Sequence, residues 1–362
     1  MKKLNYSASG VNYQKIDPIK KLAQQAALST AKNLIGEIKE TRGESAYVWK
    51  QGNVYMASVI EGLGTKNLVA DALYKITGKT YYENIGHDTV ASIINDLVSV
   101  GAKPLTLHAY WAMGDSSWLA NKKRMKDLIT GWKKACDISG VSWGGGETPA
   151  LKGIINPETI DLGGSAVGII KNKKQLLLDK KIRPGDRIIL LKSNGINMNG
   201  LSLARAIAEK LPRGYATRLA NGKMYGEALL AKANIYAKLV QDLFAAGIDI
   251  HYTSNITGHG LRKIMRARQS YTYVIEKMFK PQEVFSFIQK HGKLSDYEMY
   301  QTFNMGQDYA IFLPAKHVKK AQSIIKKNKF ASLDAGYVKK GRKQVIIEPK
   351  NLIYKGETLD LR

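Results

Sequence analysis

Short segments rich in glycine, asparagine and acidic residues interrupt the chain, each at the end of an apolar run. Loops on a rigid scaffold present backbone N–H groups and carboxylates to ligands, so chemistry is usually placed in such segments. The apolar runs between them mix strand-like and helix-like periods throughout both halves of the chain. They lack the strict strand–helix–strand rhythm of a doubly wound sheet. The pattern therefore predicts an α/β or α+β fold with two domains.

The expected domains are residues 1–170 and 171–362. The boundary is marked by a charged stretch, 171–183, and by the turn Pro184-Gly185-Asp186, which precedes a new apolar run. A chain of 362 residues has the length of two domains and can bury a substantial core without disulfides. The single cysteine, Cys136, cannot form an internal disulfide and indicates a reducing compartment or a core position.

Apolar periodicity predicts the individual elements. Helical spacing predicts helices over 16–38, 89–100, 126–139, 201–211, 228–246 and 318–327. Alternating or continuous apolar runs predict strands over 47–49, 54–60, 104–112, 160–170, 188–191, 248–252, 310–313, 345–348 and 352–354. The first two strands form a hairpin around Gln51-Gly52-Asn53, and the last two form a second hairpin.

The 56 lysines and arginines outnumber the 30 acidic residues and give a formal net charge of +26, which favours an anionic partner. The basic residues are spread along the chain, without the stripe, arm or module that is typical of nucleic-acid binders. Solvated basic faces and the steering of phosphorylated small substrates are the expected outcomes, and nucleic-acid binding is the weaker alternative. Without a membrane-length apolar run or a secretory leader, we expect no membrane contact and a cytoplasmic location.

The first candidate segment, 61–66, directly follows the predicted strand 54–60. Its glycines, Gly62 and Gly64, would let the backbone approach a phosphate closely, and Lys66 would supply a positive charge. The spacing is not that of a Walker A loop, and a plain glycine turn is the alternative reading.

A set of carboxylates forms the second candidate. Asp88 and Asp96 lie two helical turns apart, and together with Glu61 they offer oxygen ligands of the kind that Mg²⁺ takes while it holds nucleotide phosphates. For Asp88 alone, capping of the following helix is the alternative. The run Gly144-Gly145-Gly146 predicts a backbone cradle or a flexible turn, and Glu147 after it is a fourth possible metal ligand.

The second half contributes two more segments. Residues 193–202 carry small hydroxyl and amide side chains where a helix begins, which is typical of an anion site; simple N-capping by Asn199 or Ser202 is the alternative. Residues 255–260 open another helix and contain His259, a general-acid candidate or a structural histidine. No Ser-His-Asp or His-x-x-His pattern is visible among the 6 histidines, so a hydrolase has no support.

Taken together and in this order, the motifs resemble the aminoimidazole ribonucleotide synthetase family, also called phosphoribosylformylglycinamidine cyclo-ligase. The resemblance spans roughly residues 6–348, and residues after about 349 look like a C-terminal extension. The matching segments are 6–11, 61–66, 86–88, 95–97, 101–105, 145–148, 193–203, 256–261 and 299–306.

The resemblance implies a two-domain fold in which the N-terminal domains of two subunits pair their sheets into a barrel, while the C-terminal domain is an α/β sandwich. ATP and Mg²⁺ would lie between the domains. ATP would phosphorylate the formyl oxygen of formylglycinamidine ribonucleotide, and attack by the amidine nitrogen would close the imidazole ring. Such chemistry depends mainly on neutralising charge at the phosphoryl group.

The resemblance also implies roles for individual residues. Lys66 and Asp96 would be catalytic, and His259, which replaces a family glycine, would join them by taking over the role lost at Asn197. The metal ligands would be Glu61, Asp88, Asp96 and Glu147. The nucleotide would contact Gly62, Gly64, Thr65, Lys66, Asn95, Gly144, Gly145, Gly146 and Thr148. The phosphorylated substrate would contact Ser193, Gly195, Asn197, Asn199, Gly200, Ser202, Thr257, Gly258 and Asn304.

The chain departs from the family pattern in several places. The departures are Glu61 for Asp, Asn197 for His, His259 for Gly, 149–152 for Ala-Glu-Met-Pro, and Asp308 for Gly. They are compatible with a divergent branch that runs the same reaction, His259 taking over the role lost at Asn197. They are also compatible with another ATP-dependent enzyme of the superfamily acting on a different substrate, or with a relative that binds a ribotide or nucleic acid without turnover.

Overall fold

A computed structural model describes residues 13–359, so the expected motif at 6–11 lies outside the described residues. The first half is built on a five-stranded sheet with strand order β1-β2-β5-β3-β4. Neighbouring strands are antiparallel except for β3 and β4, which run parallel. The strands are β1 (Tyr47–Gln51), β2 (Val54–Gly62), β3 (Lys103–Met113), β4 (Ser142–Glu147) and β5 (Ile160–Ile170).

One face of this sheet is covered by two helices that pack on each other. The first-half helices are α1 (Tyr13–Ser29), α2 (Lys66–Thr77), α3 (Tyr82–Val98) and α4 (Lys122–Ser139). α3 is buried along nearly its whole length because it lies on β2, β3 and β5 and is in turn covered by α4. The two helices approach closely at Gly131, where an added Cβ would lie 2.0 Å from the carbonyl oxygen of Glu83.

The opposite face of the sheet is largely open and gives the first half the shape of a half-barrel. Ile60 and Tyr110 share this face and are 80% and 39% exposed. α1 reaches only one end of it, where Gln24 and Ala27 line a cavity together with Ser58.

The second half is built on a seven-stranded sheet with order β12-β11-β8-β10-β6-β9-β7, in which only β8 and β11 are parallel neighbours. Its strands are β6 (Asp186–Lys192), β7 (Tyr252–Asn255), β8 (Tyr271–Ile275), β9 (Gln307–Pro314), β10 (Ser332–Lys340), β11 (Gln344–Ile347) and β12 (Leu352–Lys355). Its helices are α5 (Leu201–Ala208), α6 (Tyr225–Leu229), α7 (Ala237–Ala245), α8 (Glu283–Gly292), α9 (Asp296–Thr302) and α10 (Val318–Lys327).

Several sequence predictions are confirmed. β5 and α10 have the predicted bounds, and both predicted hairpins form. The second hairpin places the expected C-terminal extension inside the fold, because β12 completes the sheet and the Tyr354 hydroxyl donates a hydrogen bond to the Tyr297 carbonyl, 2.7 Å away.

Other element predictions are wrong. The helix predicted over 16–38 ends at Ser29 and is followed by a short 3-10 turn. The strand predicted over 248–252 begins only at Tyr252. The helix predicted over 228–246 is broken by a non-helical segment, 230–236, which we call the strap. The strap is held by polar side chains of α3, and that tertiary contact outweighs its helical sequence pattern.

Candidate functional site

A cavity of about 230 Å³ lies where the two halves of the chain meet. It brings together six residues that the sequence predicted as ligand contacts: Glu61, Gly62, Gly64, Asp96, Asn199 and Thr257. It is completed by Leu63, Ser92, Met198, Asn255 and Lys263. Since each half supplies part of the lining, the cavity depends on how the halves pack together. We refer to it as the interdomain pocket.

The first-half wall is formed by the ends of two elements. Glu61 and Gly62 end β2, and the chain turns at Gly64, whose φ of 70° is easily adopted by glycine. The turn is fixed where Leu63 N–H donates to the Leu162 carbonyl, 2.8 Å away. Asp96 projects from the last turns of α3, so the two carboxylates reach the same cavity from a strand end and a helix.

The pocket carboxylates differ in their surroundings. The Glu61 side chain reaches solvent at the pocket but is surrounded by protein on its other sides. This partial burial and the nearby Asp96 charge raise the pKa of Glu61 to about 7, while the Lys263 charge acts to lower it. Asp96 Oδ1 accepts a hydrogen bond from Asn255 Nδ2 at 2.8 Å, which orients it. Two carboxylates that repel each other in a partly buried site are suited to binding a cation.

Lys263 is a site residue that the sequence reasoning missed. It lies on a 3-10 helix, Gly260–Met265, and its Nζ donates to Thr257 Oγ1. Burial and the neighbouring Arg266 lower its pKa to about 8, while Asp96 and Glu61 oppose that effect. Its position, six residues after Thr257 in a stretch predicted to be helical, was the available signal. Asn255 lies in the candidate segment 255–260 and is a second pocket residue that was not predicted as a ligand contact.

The sequence prediction that Lys66 and Asp88 face a ligand is wrong, because the two side chains pair with each other outside the pocket. Lys66 Nζ lies 2.5 Å from Asp88 Oδ2, and both side chains are fully buried. Lys66 also donates to the Ala231 carbonyl at 2.9 Å, and Asp88 Oδ1 accepts from Ala233 N–H at 2.8 Å. Asp88 lies inside α3, which begins at Tyr82, so the expected N-cap role is wrong as well. The pair holds the strap to α3 and does not line the pocket.

Asn95 makes the same kind of contact. Its side chain donates to the Asn234 carbonyl at 2.8 Å and accepts from Tyr236 N–H at 3.0 Å. His87 Nε2 is 2.9 Å from the Ala233 carbonyl oxygen. The prediction that Asn95 contacts a nucleotide is therefore corrected: both ends of its amide are used to satisfy strap backbone groups that would otherwise be buried without partners. Thr65, directly before α2, is also outside the pocket lining.

The glycine run also has a different role from the predicted loop. Gly144, Gly145 and Gly146 lie in the edge strand β4. A Cβ at Gly146 would lie 2.2 Å from the Ala109 carbonyl oxygen, so glycine is needed for close pairing with β3.

Glu147 ends this strand, and like Thr148 it is exposed and away from the pocket. Within residues 13–359 no three histidine, cysteine or acidic side chains form a metal-sized group, so the predicted four-carboxylate cluster is reduced to Glu61 and Asp96.

The predicted substrate segment is a hydrogen-bonded loop beside the pocket. Ser193 Oγ lies 3.2 Å from Asn304 Oδ1, and Asn304 Nδ2 donates to the Gly195 carbonyl at 2.9 Å. At Gly200, a Cβ would lie 2.0 Å from the Phe303 ring, so glycine is required. These contacts shape the loop from within, while Asn199 lines the pocket. Ser202 lies in the first turn of α5, outside the lining.

Two residues that depart from the family pattern are in contact. Asn197 Nδ2 donates to Asp308 Oδ1, while Asp308 Oδ2 accepts from Tyr236 at 2.6 Å and from Asn234 at 3.1 Å. Burial raises the Asp308 pKa to about 6, although these hydrogen bonds oppose the shift. Asp308 thus joins the loop before Asn199 to the strap. Asn197 is occupied with this contact and does not line the pocket.

His259 and Gly258 follow Thr257 but are not part of the pocket lining. Burial lowers the His259 pKa to about 3, and the charges of Lys263 and Arg262 lower it further in the same direction. The imidazole is therefore neutral at physiological pH. This corrects the expectation that His259 acts as a general acid, because a neutral imidazole is a much weaker proton donor than an imidazolium.

Comparison with known proteins covers nearly the whole described chain. The N-terminal domain of the family described as AIR synthase related protein matches residues 43–170, and the C-terminal domain of that family matches residues 183–348. The phosphoribosylformylglycinamidine cyclo-ligase of Carboxydothermus hydrogenoformans is 31% identical over 362 residues, which covers 96% of this chain and 99% of the relative. The enzyme of the same name from Rippkaea orientalis is 32% identical and covers 81% and 84%.

Solved structures with the same fold are more distant in sequence. The hydrogenase maturation protein HypE in complex with ATP superposes with a TM-score of 0.57 at 17% identity, covering 83% of this chain and 82% of HypE. A thiamine-monophosphate kinase from Stenotrophomonas maltophilia gives a TM-score of 0.58 at 15% identity, covering 85% and 90%. These two structures confirm the two-part α/β architecture. No helix among residues 13–359 is long and apolar enough to cross a membrane.

Proposed function

The chain belongs to the AIR synthase family, and we propose that it is a cyclo-ligase that converts formylglycinamidine ribonucleotide to aminoimidazole ribonucleotide with ATP and Mg²⁺. Its curated relatives carry the cyclo-ligase name and align over almost their full length. The observation that carries the proposal is the interdomain pocket, where Glu61, Asp96 and Asn199 are brought together from both halves of the chain.

The pocket chemistry fits Mg²⁺. The ion prefers oxygen ligands and is often held by one or two carboxylates together with substrate phosphates, so Glu61 and Asp96 suffice. Burial and the nearby Asp96 charge raise the pKa of Glu61, and a cation bound between the two carboxylates would stabilise the ionised form of both. When bound, Mg²⁺ and ATP supply the transferable phosphoryl group and the neutralisation of its charge.

The chain's own residues would bind and orient the reactants. The hydrogen bond from Asn255 holds Asp96 in one orientation, so little reorganisation is needed when a ligand enters. Asn199 supplies an amide, and the Gly62–Gly64 turn allows close backbone approach to an anion. No histidine of the described chain lines this pocket, which suits a reaction that depends on electrostatic stabilisation more than on a strong base.

The working unit would be a homodimer. The open face of the five-stranded sheet, with Ile60 and Tyr110 exposed, would pack against the same face of a second copy and close a barrel. Burying such apolar side chains would provide the driving force for association. A cytoplasmic location and a phosphorylated small-molecule substrate belong to the same proposal.

The proposal is tested with Asp96→Asn, which keeps the size of the side chain and removes its charge. We expect ADP release from Mg·ATP in the presence of formylglycinamidine ribonucleotide to fall by at least about a hundredfold, in line with the loss of one key electrostatic group. Circular dichroism should be unchanged. The matched control is Asp137→Asn, an exposed carboxylate on α4, which should retain full activity. Unaltered turnover in Asp96→Asn would remove Asp96 from the site.

The alternative is an ATP-dependent enzyme of the same fold with another substrate. It is favoured by the paired departures at Asn197 and Asp308, which are joined by a hydrogen bond beside the pocket. ADP release that occurs without formation of the aminoimidazole product would support this alternative. An absence of stimulated ADP release would favour a binding protein.

A further inference from the structure

Lys263 is held rigidly at the interdomain pocket. Its carbonyl oxygen accepts a hydrogen bond from Ser254 Oγ at 2.8 Å, which anchors the backbone to the end of β7. Its Nζ donates to Thr257 Oγ1. Only 7% of the residue is exposed, so the ammonium group has left bulk water and lies in the pocket wall.

This buried ammonium group lacks a close counter-ion among residues 13–359. No carboxylate oxygen there lies within the 4.0 Å that defines an ion pair with Lys263 Nζ. Glu61 and Asp96 act on Lys263 only over a longer distance, although both line the same pocket. A buried charge is costly when unpaired, so the site is poised to accept an anion.

Lys66 cannot supply this charge. It is fully buried, paired with Asp88 at 2.5 Å and bonded to the Ala231 carbonyl. Lys263 is the only basic residue among the described residues that line the pocket. The sequence predicts that Lys66 faces the ligand, whereas in the structure Lys66 holds the strap and Lys263 faces the ligand space.

We propose that Lys263 binds a phosphoryl group in the interdomain pocket, its Nζ donating a hydrogen bond to a phosphoryl oxygen on the side opposite the pocket carboxylates. The identity of the ligand rests on the proposed function, whereas the anion site itself does not. The phosphoryl group could belong to ATP or to the 5′-phosphate of the ribonucleotide. Lys263 takes part through charge and hydrogen bonding, and it forms no covalent bond.

The test measures binding by calorimetry to Lys263→Met, which keeps the apolar stem and removes the charge. Three probes are titrated separately: Mg·ATP, formylglycinamidine ribonucleotide without ATP, and adenosine. We expect affinity for one phosphorylated probe to fall at least about tenfold, as for loss of a charge-assisted hydrogen bond, while adenosine binding stays the same. Which phosphorylated probe is affected identifies the source of the phosphoryl group.

Two further variants control for charge and shape. Lys319→Met removes one positive charge from the exposed face of α10 and should leave all three affinities within about twofold, since an exposed and distant charge is screened by salt. Lys263→Arg should recover most of the lost affinity. Equal affinities in wild type and Lys263→Met, or an equal loss for adenosine and the phosphorylated probes, would overturn the proposal.

The outcome is separable from that of the proposed function. If wild-type protein binds a phosphorylated probe through Lys263 but forms no aminoimidazole product, the cyclo-ligase assignment fails and the anion site stands. If the product forms and Lys263→Met binds and turns over normally, the anion site fails and the cyclo-ligase assignment stands.

Discussion

The ammonium group of Lys66 lies 2.5 Å from the carboxylate of Asp88, and neither side chain reaches solvent. Lys66 begins α2 and Asp88 lies in α3, and each also bonds to the strap, through the Ala231 carbonyl and Ala233 N–H. The two members of this ion pair therefore tie the first half of the chain to the second through their hydrogen bonds to the strap. Because the interdomain pocket is lined from both halves, this tie also helps to fix the pocket.

Lys66→Met should destabilise the protein by about 3–5 kcal/mol, because it leaves the Asp88 carboxylate buried and uncompensated. Urea unfolding at pH 7 measures the change. The double variant Lys66→Met/Asp88→Leu should recover part of the loss, since an apolar pair of similar size can replace a buried ion pair. A Lys66→Met protein that is as stable as wild type yet binds Mg·ATP poorly would contradict the structural role and return Lys66 to the ligand site.

The same residues illustrate what a sequence can predict. The loop 61–66 and the carboxylate Asp96 were placed at a ligand site from composition and resemblance, and they do lie at the pocket or next to it. The direction of the Lys66 side chain is set by the start of α2 and by the contact with the strap. This tertiary contact is not encoded in the local sequence pattern. Lys263 differs from the exposed lysines of this basic chain only by its spacing from Thr257, and that spacing does not identify a pocket residue until folding buries the side chain.

The secondary structure shows the same limit. β5 and α10 were predicted to the residue because each buries a regular apolar pattern against its sheet or its neighbours. The strap contains Leu230, Ala231 and Ala233, which favour a helix, and no glycine or proline. Its local sequence therefore does not predict that the helix is interrupted here. It is non-helical because α3 presents the side chains of Asn84, Asp88 and Asn95 to its backbone.

Gly131→Ala should destabilise the protein by about 1–3 kcal/mol, although alanine is the better helix former, because the new Cβ would lie 2.0 Å from the Glu83 carbonyl oxygen and force α3 and α4 apart. Thermal and urea unfolding test this. Lys126→Ala, an exposed change on the same helix, should stay within about 0.5 kcal/mol of wild type. A Gly131→Ala protein more stable than wild type would contradict the close helix contact.

Asp308 should make stability fall as pH rises. Its folded-state pKa of about 6 exceeds the ordinary aspartate pKa of 3.8, so the folded protein holds this proton more tightly than the unfolded chain does. Relative to Asp308→Asn, wild type should lose about 3 kcal/mol of unfolding free energy between about pH 4 and pH 7. Chemical denaturation of both proteins across this range measures the difference. A difference independent of pH would show that Asp308 titrates normally.

If the chain forms the proposed homodimer, Ile60→Asp should convert it to a monomer, because the change places a charge on the open sheet face. Sedimentation velocity at micromolar concentration distinguishes the two states. Ile353 is 48% exposed on β12 of the other sheet, so Ile353→Asp is a matched control that should remain dimeric. Wild-type protein that sediments as a monomer would contradict the shared barrel.

We propose that formylglycinamidine ribonucleotide is closed to an imidazole in the interdomain pocket at the expense of ATP. The most direct measurement is the stoichiometry of ADP and aminoimidazole ribonucleotide formed from formylglycinamidine ribonucleotide and Mg·ATP. We predict one ADP for each product molecule, and the loss of both products in Asp96→Asn. ADP formation without the aminoimidazole product would contradict the cyclo-ligase reaction. Product formation that Asp96→Asn leaves unchanged would contradict its location in the interdomain pocket.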